Sequence, residues 1–307
     1  MGSSPAYPSD LTDAQGALIE PLVPARSSRG KGTRGGRPLK YSRRRIVDAI
    51  LYLDRTGCSW RQLPHDFPPW ETVYFSFSRW AADGTVDRIH DALRNAVRDA
   101  AERDPMASAG AVDSQTVPGG STVGRATRGW DAGKKINGRK RHLVVDTLGL
   151  LIVVLVTAAS VQDRDGGVRV LDRAKMALPS LVLIWAVAAY SRRAQDFAAR
   201  ALRITVQVVA KLVGQAGFVP LPRRWVVERT HAWITGHRRM SRDYERLPAH
   251  SEAMIKWAMI GLMARRLAPA PGRRPWQPAR ATSPFLHTLS VLGAQCLGLG
   301  LGLGTKQ

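Results

Sequence analysis

Acidic residues are scarce in this chain. Against 46 Lys and Arg there are 24 Asp and Glu in 307 residues, which leaves a formal charge of +22 and a pI near 11.2. An excess of that size points to a polyanion, nucleic acid or another anionic surface, as partner, and says nothing about fold. Cysteine is almost missing. Cys58 and Cys296 are too few and too distant in sequence to suggest a metal knuckle or a disulfide framework, which fits a reducing compartment. Long apolar runs are also missing: Leu148 to Ala159 and Leu181 to Ala189 fall short of the roughly 20 residues of a membrane helix. Their Val and Ile content suits buried strands, so no membrane partner is expected. Residues Met1 to Asp10 have no charged segment leading into an apolar one, so no export signal is read and the expected compartment is the cytoplasm.

What is present is a hydrophobic content of 44% over a length that suits more than one domain. Thr12-Asp-Ala-Gln15 has capping-box spacing and predicts a short helix ending before Pro24. A Gly/Arg-rich linker follows. Ser42 can cap a second helix with Ile46, Ala49, Ile50 and Leu53 at helical spacing, Gly57 can end it, and its polar side carries Arg43, Arg44 and Arg45. Val73, Phe77 and Trp80 form another helical stripe, and Val86, Ile89, Leu93 and Val97 a further one beginning at Thr85. Residues 1–103 therefore read as all-helical. Short helices, a tight Gly-containing turn and a basic face fit a helix-turn-helix type DNA-binding unit; a helical bundle with solvated arginines fits the same residues.

From Ala109 the texture changes to strands at Ala109–Val112, Arg141–Asp146, Leu150–Thr157, Leu181–Ala186 and Ile204–Val209. Helical stretches at Asp163–Met176, Ser191–Leu202 and Arg224–Arg239 alternate with them, which predicts an α/β domain with a mixed sheet. Two acids stand out in this basic setting, Asp113 near the end of the first strand and Glu228 on the late helix. Two or three carboxylates from separate elements can hold divalent ions for phosphoryl transfer, although a strand-end Asp and a helical Glu are also common structural residues.

Their surroundings are specific. Asp113-Ser-Gln-Thr, the block Gly133 to Gly149 containing Gly-Arg-Lys-Arg-His-Leu-Val-Val-Asp, and Arg223-Arg-Trp-Val-Val-Glu228-Arg-Thr-His-Ala-Trp closely resemble the DDE transposases of bacterial insertion sequences, the insertion sequence five family in particular. Arg55 to Pro64 and His65 to Trp70 look like the helical domain that precedes the catalytic domain in that family, and the resemblance runs from about Tyr7 to Leu267. It implies a ribonuclease-H-like catalytic domain over 109–267 behind the helical DNA-binding domain, and two Mg²⁺ or Mn²⁺ ions. It also implies cutting and transfer of double-stranded DNA at terminal inverted repeats, with target DNA as second substrate, possible homo-oligomers on DNA, and a nucleoid-associated bacterial setting. Asp113 matches the family's first acid and metal ligand, and Glu228 its last.

Three positions depart from the family pattern. The second acid stands in a Trp-Ala-Asp-x-Ala-Tyr context, and the matching position here is Val187. Valine cannot ligate a metal, so impaired cleavage is expected; Asp146, Asp163, Asp165 and Asp196 lie in the α/β region without standing at that strand end. Beyond Leu267 the chain runs on through a Pro/Arg and Leu-Gly tail, 268–307, read as flexible and resembling read-through or frameshift coding. Gly16 occupies a site where the family usually has a bulky aromatic.

Between Ser121 and His142 lie Arg125, Arg128, Lys134, Lys135, Arg139, Lys140 and Arg141 against the single acid Asp131, and Arg223, Arg224, Arg229, Arg238 and Arg239 surround Glu228. Both groups are candidates for phosphate contacts. His142 and His231 read as structural or phosphate-contacting groups, because two-metal chemistry needs no general-base histidine. Trp233 reads as packing. Three outcomes stay open: a transposase by descent with weak cleavage, a non-catalytic DNA-binding repressor of intact copies, and a decayed product that folds poorly.

Overall fold

In the computed structural model, which describes residues 6–24, 40–190, 193–209 and 225–270 together with 272, 276 and 277, the helix signals resolve first. Helix α1, Asp13–Ile19, starts at Thr12, whose hydroxyl accepts from the Gln15 amide while the Gln15 side chain accepts from the Thr12 amide. Helix α2, Arg43–Thr56, is capped by Ser42 and stopped by Gly57 at φ +77°, a left-handed conformation that glycine adopts without steric cost. Helices α3, Trp70–Ala82, and α4, Thr85–Asp99, follow, with the predicted apolar stripes buried. Two residues, Asp83 and Gly84, separate them.

The sheet begins at Ala109. Strands β1 (Ala109–Pro118), β2 (Gly129–Asp131), β3 (Ile136–Asp146) and β4 (Leu151–Ala158) are joined antiparallel, with β1, β2 and β4 all pairing β3. Helix α5 (Asp163–Ala177) then crosses over to β5 (Leu183–Ala186), which pairs parallel with β1. Helix α6 (Arg193–Phe197), prolonged by a wider turn through Leu202, leads to β6 (Thr205–Val208), parallel to β5. The result is a six-stranded mixed sheet behind a helical N-terminal region, the pattern of a DDE/ribonuclease-H-like domain. Helices α7 (Trp225–Thr235) and α8 (Pro248–Leu267) close the described fold. The predicted helix over 224–239 is shorter than expected, because it breaks at Gly236 and a single tight turn carries Arg238–Ser241.

Strand alternation divides the sheet's residues between two layers. Val112, Val144, Ile152 and Ile184 pack against Val170, Leu171 and Ala174 of α5. Gly166 and Gly167 let α5 settle onto the sheet: a Cβ on Gly166 would lie 2.1 Å from the His142 ring, and one on Gly167 would lie 2.6 Å from Tyr190. Each glycine costs a helix interior about 1 kcal/mol relative to alanine, so the close approach is the gain that offsets it. On the opposite side, α7 lies against β1 and β3, and α8 against β4.

Helix α8 also completes the N-terminal bundle. Its buried residues include Met254, Ile255, Trp257, Met259, Ile260 and Met263, too many for one face, and Trp257 meets Trp80 of α3 at a ring separation of 6.1 Å. An all-round apolar helix must be covered on several sides. Contacts with α1, α2, α3 and α4 supply that cover, so the described residues through Ala270 belong to one compact unit. A second unit begins at Trp276, where only Trp276 and Gln277 are described, so the predicted Leu-Gly tail lies outside the described residues. Gly16 is buried because Arg44 fills the space beside it: a Cβ there would lie 1.9 Å from the guanidinium. Among the described residues no helix is long and apolar enough to cross a membrane.

Candidate nucleic-acid and phosphoryl-transfer site

Asp113 lies just past the point where β1 loses its parallel neighbour. The pairs Ala109↔Leu183, Gly110↔Ile184 and Ala111↔Trp185 set the register of β1 and β5. Carried two residues on, that register sets Val187 beside Asp113. Val187 is half-buried and packs against the core cluster of the sheet. Glu228, also half-buried, sits in the first turn of α7, which rests on β1 and β3. One turn further along the helix, His231 Nε2 comes within 3.9 Å of Asp113 Oδ2, so α7 presents its acid-bearing face to the strand that holds the other acid.

The histidine does not form an ion pair there. Burial, helped by the nearby Arg141 guanidinium, pushes His231 down to about 4, and burial likewise pushes His142 down to about 4, so both rings are neutral near pH 7. Tyr190 packs fully buried behind Asp113, and burial together with the Asp113 and Asp163 charges raises its phenol. The Asp113 side chain keeps 21% exposure, enough to face solvent or a ligand.

Helix α7 is held by its own side chains. Thr230 donates its hydroxyl to the Gly149 carbonyl at 2.6 Å, and Arg229 donates to the Leu148 carbonyl at 2.9 Å while its guanidinium stacks between Trp225 and Trp233 at 4.2 and 4.6 Å. That tight turn is set by Asp146, which is fully buried, accepts from the Leu148 and Leu150 amides at 2.8 Å each, and pairs with Arg98 of α4 at 2.5 Å. Asp146 is therefore a structural group with no capacity to spare for a metal.

Several of the predicted phosphate contacts are corrected by the structure. Arg139 and Arg141 are almost fully buried: Arg139 pairs with Asp243 at 3.3 Å and donates to the Glu245 and Arg246 carbonyls, and Arg141 donates to the Met240 carbonyl. Burial lowers Arg141 to about 10. Lys140 points to the other side of the sheet, between Asp163 at 3.0 Å and Asp131 at 3.5 Å. Arg239 is buried against Glu245 at 2.6 Å and donates to the Cys58 carbonyl. A buried guanidinium without such partners would cost several kcal/mol, so these contacts are what allow the arginines to be inside.

The N-terminal arginines are engaged in the same way. Arg43 donates to the Val23 carbonyl, Arg44 pairs with Asp48 at 3.3 Å, and Arg45 donates to the Asp66 carbonyl and stacks on Phe67. They tie α2 to the segments around it instead of forming a free basic face. Arg229, as described, grips the β3–β4 turn. Lys134, Lys135 and Arg238 remain exposed, as does Arg125. Arg223 and Arg224 lie outside the described residues.

Sequence spacing missed the carboxylates that neutralise the buried arginines, Asp243 for Arg139 and Glu245 for Arg239. The signal that could have found Arg139 and Arg141 is the strand itself, since residues two apart on a strand share a face and Leu143 continues theirs into the core.

Two family profiles match the chain: that of transposases of the IS4/5 family over residues 11–90, and that of the transposase DDE domain over residues 104–263. The chain belongs to the IS4/5-family DDE transposases. A relative from Burkholderia cepacia, the insertion element IS402 uncharacterized 16.2 kDa protein, is 33% identical over 109 residues, covering 35% of this chain and 71% of that protein. The uncharacterized protein y4sN of Sinorhizobium fredii is 32% identical over 79 residues, 26% of this chain and 58% of that protein. No solved structure matches the chain.

DDE transposases use divalent metals. The donors of this transposase do not fit a two-ion site: among the described residues no three His, Cys, Asp or Glu converge to hold an ion. Asp163, one of the alternative acids, is engaged by Ser114 at 2.8 Å and Lys140 at 3.0 Å.

Proposed function

We propose that the chain is a DNA transposase by descent that binds the terminal inverted repeats of its element and cuts them weakly or not at all. The observation that carries this reading is the seating of α7 on β1, with His231, one turn from Glu228, 3.9 Å from Asp113. Two acids on separate elements of a DDE domain are in the right neighbourhood, and the third position of the sheet edge carries a hydrocarbon side chain. In this division of labour residues 1–103 contribute DNA binding and 109–267 carry Asp113 and Glu228, the catalytic and metal-ligating pair. The partners are terminal-repeat and target duplexes, with assembly of more than one copy on DNA.

Lys134, Lys135 and Arg238 supply phosphate contacts, and Arg223 and Arg224, which precede α7 in the sequence, are proposed for the same role. Val187 favours a second reading, in which the chain occupies the repeats without cutting and so competes with intact copies. Both readings require specific binding. Purified protein is titrated with duplex carrying the element's own terminal repeat and with unrelated duplex over a salt series. A specificity ratio of about 10³ or more, with affinity falling steeply with salt, supports the reading. Equal affinity for both duplexes overturns it.

A further inference from the structure

Strand β4 has one edge that no strand covers. Among the described residues it pairs with β3 alone, so the backbone groups on its far side face away from the sheet. An open edge is a template for another chain, and β4 is a strong one: Leu151-Ile-Val-Val-Leu-Val-Thr-Ala158 contains no charge, no proline and no glycine. Edge strands commonly carry a lysine or a proline that blocks such pairing. This one has neither.

The missing charges come from the two helices that flank the strand. Helix α5 lies on one face of the sheet and α8 on the other, and Arg173 of the first meets Glu252 of the second across the β4 edge, with Arg173 Nη1 3.2 Å from both carboxylate oxygens. The same two side chains take up backbone groups of the strand. Val156 N–H donates to Glu252 Oε1 at 2.9 Å, and the Val154 carbonyl accepts from Arg173 Nη1 at 3.5 Å. Alternate residues of a strand turn their peptide groups to one edge, so Val154 and Val156 define the outward edge and one ion pair caps it. Glu252 is largely covered, whereas the Arg173 side chain is about half-exposed. A pair so open to solvent adds little to stability, which leaves coverage of the edge as its contribution.

We propose that Arg173 and Glu252 form a latch over the outer edge of β4, and that with the latch open this edge pairs antiparallel with β4 of a second copy of the chain. A second copy fits because an antiparallel pair about a two-fold axis sets the same residues of both chains against each other. The uncharged run then meets an equally uncharged run. Such pairing needs no DNA and goes beyond the DNA reading above.

The test uses the full chain without DNA, followed by sedimentation velocity over a concentration series. Glu252→Ala removes the acceptor of Val156 N–H together with the anchor of Arg173, and is expected to tighten self-association by about tenfold or more over the wild type. Arg173→Ala is expected to tighten it less, because Val156 N–H keeps its acceptor. Hydrogen exchange identifies the surface: the amides of residues 151–158 in Glu252→Ala are expected to exchange more slowly as its concentration rises. Glu252→Ala that associates no more than the wild type overturns the proposal, as does association that leaves exchange over 151–158 unchanged. Should Glu252→Ala fold poorly by circular dichroism, Arg173→Ala decides by the same two measurements: tighter association with slowed exchange over 151–158 supports the latch, and wild-type association overturns it.

Discussion

If the β1–β5 register continues two residues past Ala111↔Trp185, Val187→Asp adds a carboxylate next to Asp113, and the effect on stability follows from burial and charge. Val187 is half-buried against the sheet core, so the lost apolar burial is about 1 kcal/mol, half the ~1.5–3 kcal/mol of a fully buried side chain. Adjacent strands stand ~4.8 Å apart, and two like charges about 5 Å apart repel by roughly 3 kcal/mol at an effective dielectric near 20. Residual solvent exposure of Asp113 screens part of this, so Val187→Asp without metal is expected to lose about 2–4 kcal/mol. At roughly 2–4 °C per kcal/mol for a chain of this size class, the apparent Tm falls by about 5–15 °C. An ion that binds the three-acid site turns the repulsion into ligation, and at a hundred times its Kd restores about 2.7 kcal/mol. Thermal melts of wild type and variant, with and without Mn²⁺, read the difference. The reasoning is refuted if the variant melts like the wild type without metal, or if Mn²⁺ raises both proteins equally.

Acid should destabilise the protein. His142 and His231, held at about 4 by burial, stay neutral in the fold while an unfolded chain protonates them below about 6.5, so stability drops between those pH values by up to about 3 kcal/mol per ring. Asp48, raised to about 6 by burial, works the other way by a similar amount, because the fold keeps its proton where the unfolded chain releases it. The three together leave a net loss of about 3 kcal/mol, checked by urea unfolding at pH 7 and near pH 4, with unchanged or rising stability as the contrary result. Asp146→Ala removes the partner of buried Arg98 and the acceptor of two amides, and is expected to cost about 3–5 kcal/mol; a loss below about 1 kcal/mol contradicts the structural role. Gly166→Ala sets a methyl group 2.1 Å from the buried His142 ring, so crowding outweighs the gain in helix propensity and the expected loss is about 1–2 kcal/mol in chemical denaturation, with stabilisation as the contrary result.

Much of the local structure was legible in the chain. Thr12, Ser42 and Gly57 mark helix ends by their own chemistry, and the apolar stripes of α2 to α4 are buried as their spacing predicts. The basic run 139–141 was not legible as a phosphate surface. Consecutive strand residues point to opposite faces, so Arg139 and Arg141 enter one layer and Lys140 the other, and the groups that neutralise Arg139 come from 243–246, about a hundred residues away. Local spacing carries no information about such partners. The same limit applied to α8, whose all-round apolar surface joins a bundle begun some two hundred residues earlier. The approach of His231 to Asp113 needed the seating of α7 on β1, which joins residues more than a hundred apart in the chain.

On the function proposed above, Val187 is what separates this transposase from cleavage chemistry. Labelled inverted-repeat duplex incubated with Mn²⁺ and either wild-type or Val187→Asp protein tests it most directly. A missing carboxylate at an ion that supplies several kcal/mol of transition-state stabilisation predicts wild-type cleavage slower than that of the variant by about 10³-fold. Wild-type protein that cuts the repeat as fast as Val187→Asp contradicts the account.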